Sequence, residues 1–189
     1  MPSPALEPTR ALAAKPGRIG PWLDLAASQA AWWWCILGAR SNHPQLALLG
    51  PVAYLLGHVV LARQARAEVL GLIAAGSLAG LVGDGVLARA GLLVFPAGLT
   101  LGPAAPFMVS LWAMFAASLR SSAAFVVRQP LWRAALLGAA AGPLAYAGGE
   151  RLSVLTLPAG AGFAVAFEWA LAVPVLVWCA RVGERQAHE

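Results

Sequence analysis

Six apolar stretches, each bounded by Gly, Pro, Arg or polar residues, constrain this chain more than any other feature. They run over Pro21–Gly38, Gln45–Ala62, Glu68–Arg89, Pro103–Val126, Leu131–Gly149 and Ala159–Ala180. Each approaches the ~17–25 residues that an α-helix needs to cross a bilayer. Hydrocarbon offers no water to unpaired backbone groups, so segments of this kind must be helical. The composition agrees: 60% of the 189 residues are hydrophobic and 11% are charged. A soluble domain of that size could not cover its surface with so few charges. The expectation is an all-α membrane protein, a compact bundle of about six transmembrane helices in one domain. Residues 1–20, with four prolines and no apolar run, read as a disordered cytoplasmic tail. Residues 21–181 form the transmembrane domain, and 182–189 a second cytoplasmic tail. Gly91–Leu101 reads as a loop or a short interfacial helix. The first apolar stretch follows three basic residues, but it is Trp-rich and lacks a small-x-small cleavage site, so a retained span is expected rather than a signal peptide.

Orientation follows from the basic residues. Arg10, Lys15, Arg18, Arg63, Arg66, Arg120, Arg128, Arg133, Arg181 and Arg185 fall on one side, and only Arg40, Arg89 and Arg151 on the other. This bias puts both termini in the cytoplasm, and an even number of spans requires them to share a side. The net charge of +5 arises from arginines set between apolar runs, which is membrane anchoring rather than a nucleic-acid face. Of the eight tryptophans, most fall at span ends as an interfacial belt, whereas Trp112 and Trp169 lie deeper as packing residues. Trp32, Trp33 and Trp34 point in three directions, so at least one should face protein. Cys35 and Cys179 lie at opposite faces, too far apart to pair, and read as small buried residues.

Acidic residues inside spans are costly, about 3 kcal/mol at the centre of a lipid-facing helix, and normally turn toward protein or water. Gly76, Gly80 and Asp84 fall at four-residue spacing on one stripe of the third span. Gly138, Gly142, Tyr146 and Glu150 do the same in the fifth, and Ala164, Glu168 and Ala172 in the sixth. Small residues so spaced let helices approach closely, so the stripes predict helix contacts with an acid on each. Glu168 lies near mid-depth, expected to be a protonated acid bonded to Gln29 or to a backbone carbonyl, or else a proton or cation site. Asp84 and Glu150, near the outer end, read as partners of Arg89 and Arg151, or with Glu168 as a relay or headgroup pocket. Asp24 reads as a helix cap, Arg120 as snorkelling to the cytoplasmic surface, and His58 as a helix-contact residue. No metal-ligand grouping and no HExxH, GxSxG or P-loop pattern occurs, so neither a metal nor a cofactor is expected.

At an offset of 92, Gly50-Pro51-Val52-Ala53-Tyr54 aligns with Gly142-Pro143-Leu144-Ala145-Tyr146, and Ala88-Arg89-Ala90-Gly91 with Ala180-Arg181-Val182-Gly183. The match reads either as two inverted three-helix repeats, an arrangement common in transporters, or as coincidence in a Gly/Ala-rich chain.

Trp33-Trp34-Cys35-Ile36-Leu37-Gly38-Ala39, Asp84 with Leu87 and Gly91, Leu111-Trp112 with Phe115-Ala116, and Gly142-Pro143-Leu144-Ala145-Tyr146 with Gly149 occur in order. Together they resemble the bacterial membrane family known as domain of unknown function 2878, over nearly the whole chain after residue 20. The resemblance brings no catalytic residues. Members of that family tend to be encoded near enzymes that modify membrane fatty acids, which implies an inner-membrane setting in lipid metabolism. The leading expectation is a non-enzymatic accessory or carrier component in envelope lipid or fatty-acid modification. Its partners would be membrane lipids and membrane-associated lipid-modifying enzymes. The alternative is a small transporter or flippase-like protein with a midplane acidic site, and behind it an integral lipid-modifying enzyme.

Overall fold

The computed structural model describes residues 20–41, 44–63, 65–96, 100 and 105–186. The amino tail through residue 19 and the last three residues lie outside the described residues. Among the described residues seven α-helices follow one another: α1 Pro21–Arg40, α2 Leu49–Leu61, α3 Arg66–Arg89, α4 Pro106–Ser118, α5 Ala124–Val127, α6 Leu131–Arg151 and α7 Ala161–Gln186. A 3-10 segment, Pro44–Leu48, leads into α2, and no strand is present among the described residues. Proline opens α1 and α4, where its missing N–H would have had no intrahelical partner.

Among the described residues two helices, Arg66–Arg89 and Ala161–Arg185, are long and apolar enough to cross a membrane. Helices α1 and α6 are shorter, at 20 and 21 residues, and carry Asp24, Ser28, Gln29 and Arg40 in the one and Arg133, Glu150 and Arg151 in the other. The stretch expected as one helix over Pro103–Val126 is broken. Its residues 103 and 104 lie outside the described residues, α4 ends at Ser118, and a turn precedes the single turn of α5. The break is where Ser121 and Ser122 leave the helical path to bond a carboxylate on α1. Of Gly91–Leu101, expected as a loop or a short interfacial helix, residues 91–96 run as a turn and then extended chain, and residues 97–99 and 101 lie outside the described residues. The tail expected from residue 182 is helical through Gln186.

α3 lies along α4 and α6 along α7, α7 also meets α3, and α1 and α2 pack on each other and on α4. Glycines set these approaches. A Cβ on Gly76 would come within 2.6 Å of the Trp112 carbonyl oxygen, and one on Gly138 within 2.5 Å of the Trp169 carbonyl oxygen. Gly80 and Gly142 lie directly under the indole rings of Trp112 and Trp169. Those rings, the two tryptophans expected to be packing residues, stack on each other with centroids 4.6 Å apart. Of the consecutive tryptophans, Trp33 and Trp34 are half-exposed, while Trp32 packs against the core. Cys35 and Cys179 are both free thiols.

These matching contacts reveal an internal correspondence at an offset of 62. It pairs Gly76 with Gly138, Gly80 with Gly142, Arg89 with Arg151, and Pro96-Ala97-Gly98 with Pro158-Ala159-Gly160. The backbone repeats with it. Gly91 and Ser153, each just past a helix end, both have positive φ, 70° and 58°. Leu92 and Val154 donate to Leu87 and Gly149, and the buried Leu93 answers the buried Leu155. The copies meet at one antiparallel bridge, in which Val94 and Thr156 exchange hydrogen bonds of 3.1 and 2.7 Å. Such reciprocity is that of a local two-fold relation. The offset of 92 has no such counterpart, because α6 lies along α7 whereas α2 only brushes α3. The shared Gly-Pro-x-Ala-Tyr motif marks a local role instead: Tyr54 and Tyr146 each donate to a buried aspartate.

Candidate functional site

A cavity of about 320 Å³ lies between α1, α4 and α6, with Trp169 of α7 at its floor. α1 packs on α2 and α4, and α6 on α7, so α1 and α6 flank the cavity without closing it. Leu25, Gln29, Phe125 and Ala145 form an exposed rim, and Met108, Trp112, Tyr146 and Leu155 a buried floor. Its lining is mainly apolar. Polar groups are few and placed at intervals: Ser28 and Gln29 on α1, Ser118 and Ser122 around the break after α4, and Tyr146 on α6.

Behind the floor stands a buried acidic pair. The Tyr146 hydroxyl donates to Asp84 Oδ1 and accepts a 3.2 Å hydrogen bond from Trp112 Nε1. Glu168 of α7 reaches the same Asp84 carboxyl. Gly83 makes room for it, because a Cβ there would overlap Glu168 Oε1. Asp84 Oδ2 and both Glu168 oxygens are buried and meet no donor. Two carboxylates in contact supply none to each other; a proton on either turns that contact into a hydrogen bond.

Several expectations change here. Asp84 is bonded by Tyr146 rather than by Arg89, which is five residues on and off the same helix face. Glu150 turns from Arg151, since neighbours along a helix do not face each other, and accepts the Leu157 N–H at 2.7 Å. Glu168 faces Gly83 on α3, and the expected bond to Gln29 is not made because Gln29 stands on the cavity rim. Arg120 does not run to the surface but pairs with Glu68, both largely buried.

A second polar cluster lies near the other end of the cavity, and sequence reasoning missed most of it. Asp24, expected as a cap, is fully buried, while Gly20 occupies the capping position of α1. Asp24 Oδ1 accepts Tyr54 Oη at 2.8 Å and bonds His58 Nε2 at 2.7 Å. Oδ2 accepts the Ser121 hydroxyl at 2.6 Å, the Ser122 N–H at 3.0 Å and the Ser122 hydroxyl. One carboxylate thus joins α1, α2 and the turn after α4. The available signal was the spacing of Tyr54 and His58, four residues apart on one face of α2. Ser121 and Ser122 carried no signal of their own.

Residues 21–175 match a family model described as Protein of unknown function (DUF2878). The chain belongs to the DUF2878 family. No curated protein and no solved structure matches it. The DUF2878 match contains both polar clusters, the cavity and both copies of the internal repeat, and ends within α7.

Proposed function

We propose that this protein is a multi-pass inner-membrane protein of six spans with both termini cytoplasmic. In this reading it acts as a non-enzymatic carrier or accessory that holds the acyl chain of a membrane lipid. One observation carries the reading: the mainly apolar cavity between α1, α4 and α6, flanked by helices that do not close on each other. A site of this size with few polar groups suits a small apolar ligand or part of a larger one. Its opening between helices would admit a chain sideways from lipid. The helices α1, the 3-10 segment with α2, α3, α4 with α5, α6 and α7 supply the six crossings, and the distribution of arginines sets their direction. Partners of this carrier would be the lipids themselves and membrane-associated enzymes that modify them.

Reporter fusions at Glu189 and at Ser41 test the topology, with cytoplasmic activity expected at the first and periplasmic activity at the second. The opposite pattern would overturn the orientation. The cavity is tested by Ala145→Phe. Ala145 sits on the exposed rim, so the larger side chain fills the mouth without entering the core. With the exposed Trp22, Trp33, Trp34, Trp132 and Trp178 replaced by Phe in both proteins, the purified variant should melt within a few degrees of its parent yet lose quenching of the cavity-lining Trp32, Trp112 and Trp169 by acyl-chain-brominated lipid. Equal quenching in both proteins would remove the cavity as the binding site.

A second reading, a small transporter or flippase-like protein, is favoured by the buried Asp84–Glu168 pair. Carboxyl groups without a counter-cation inside a helical bundle are the usual material of proton-coupled transport.

A further inference from the structure

Asp84 and Glu168 sit on α3 and α7, one packed beneath Tyr146 and the other immediately before Trp169 in sequence. Both Tyr146 and Trp169 line the cavity floor, so the acidic pair is its backing. Tyr146 of α6, Glu168 of α7 and Asp84 of α3 are the titratable groups that meet here, and α4 contributes only the Trp112 indole N–H. No cation is among them. Three carboxylate oxygens lie buried without a donor, which in a low-dielectric interior is strongly unfavourable for two ionised groups. Gly83 is the only residue type that leaves space for the Glu168 headgroup at this spot, so the approach is built into the backbone of α3.

From this geometry we infer that Asp84 and Glu168 together form a binding site for a single exchangeable proton, and that its occupancy controls how the cavity holds its occupant. The proton lies between Asp84 Oδ2 and a Glu168 oxygen, and the pair then carries one negative charge, which the Tyr146 hydroxyl stabilises from the other side. When the proton leaves to water, two carboxylates face each other and repel. Glu168 is pushed from α3, and it takes with it Trp169, whose ring stacks on Trp112 in the cavity floor. Affinity for the occupant therefore falls as pH rises. The second half of this inference rests on the cavity reading proposed above, whereas the proton site stands without it.

The experiment uses the full chain in lipid nanodiscs, with the exposed Trp22, Trp33, Trp34, Trp132 and Trp178 replaced by Phe so that only the cavity-lining tryptophans report, and with acyl-chain-brominated lipid as the probe for the cavity. The first measurement is the infrared carbonyl band of a protonated carboxyl group. It should be present in wild type at neutral pH, shift on exchange into heavy water, and vanish in the double variant Asp84→Asn with Glu168→Gln. The second is quenching of the floor tryptophans from mildly acid to mildly alkaline pH. Wild type should lose most of its quenching toward alkaline pH. Glu168→Gln, whose amide donates permanently to Asp84, should quench at every pH as wild type does under acid conditions. Asp84→Asn keeps a donor for Glu168 and an acceptor for Tyr146, and gives the same comparison if Glu168→Gln does not fold. A band that persists in the double variant, or the wild-type pH profile in both single variants, overturns the inference. Absence of quenching in wild type at every pH refutes the cavity reading and the control ascribed to it, and the carbonyl band then decides the proton site by itself.

Discussion

Leucine at Gly80 or at Gly142 should destroy the folded protein. A Cβ at Gly80 would lie 2.7 Å from Trp112 Cγ, and one at Gly142 2.7 Å from Trp169 Cδ1, before any leucine branch is added. Displacing either ring breaks its contact with the other, and for Trp112 also the bond to Tyr146. Overpacking a close-packed core costs about 1–3 kcal/mol and sometimes more, and a branched side chain beneath a ring held by these contacts belongs at or above the top of that range. The control is Gly71→Leu, because nothing lies within 4 Å of a Cβ there. Thermal melting of the detergent-purified proteins, followed by size-exclusion chromatography after heating, should leave Gly71→Leu close to wild type and the other two aggregated or unmeasurably low. If Gly142→Leu melts with the control, the glycine stripes do not set the helix approach.

Asp24→Ala is the other substitution with a large expected effect. It removes the one acceptor shared by the Tyr54 hydroxyl, the His58 ring nitrogen, both serine hydroxyls and the Ser122 N–H. Removing one partner from a buried charged network costs about 3–5 kcal/mol, because the remaining groups stay buried and unpaired. The loss also frees the turn after α4 from α1, and with it the Ser122 side of the cavity. The variant should show a much lower melting temperature and new proteolytic cleavage near Ser121–Ala123. Asp24→Asn keeps the shape and one carbonyl acceptor, so it should fall between Ala and wild type. Asp24→Ala with wild-type stability would mean that the five donors find other acceptors at little cost.

The two expectations rest on features of different legibility. The glycine stripe of Gly138 and Gly142 is local: four-residue spacing of small residues on an apolar segment is enough to mark a face for close approach. Which side chain fills that face, Trp169 for one stripe and Trp112 for the other, is not local, because any neighbouring helix could supply it. The Asp24 cluster draws on residues 24, 54, 58, 121 and 122. An aspartate four residues into a helix carries the local signature of an end residue, and only the packing of α2 and the turn after α4 against α1 turns it into a buried anion site.

The internal repeat divides in the same way. The offset of 92 is the more conspicuous in sequence because it pairs Tyr54 with Tyr146, the two tyrosines of the chain. The offset of 62 shares mainly glycine, arginine and Pro-Ala-Gly, which recur widely in such a chain. Its support is tertiary: Gly91 and Ser153 share a positive φ, and Val94 and Thr156 bond each other.

By itself, then, the sequence determined that this chain is all-helical, where most helices begin and end, which faces carry glycine, and to which family the chain belongs. Those properties follow from hydropathy, backbone satisfaction and residue spacing within single segments. Only the tertiary structure decided that α3 pairs with α4 and α6 with α7, that Asp84 meets Glu168 rather than Arg89, and that a cavity remains between α1 and α6. Each of these depends on which apolar face meets which, and helix faces of nearly equal composition leave that choice to shape and a few buried hydrogen bonds.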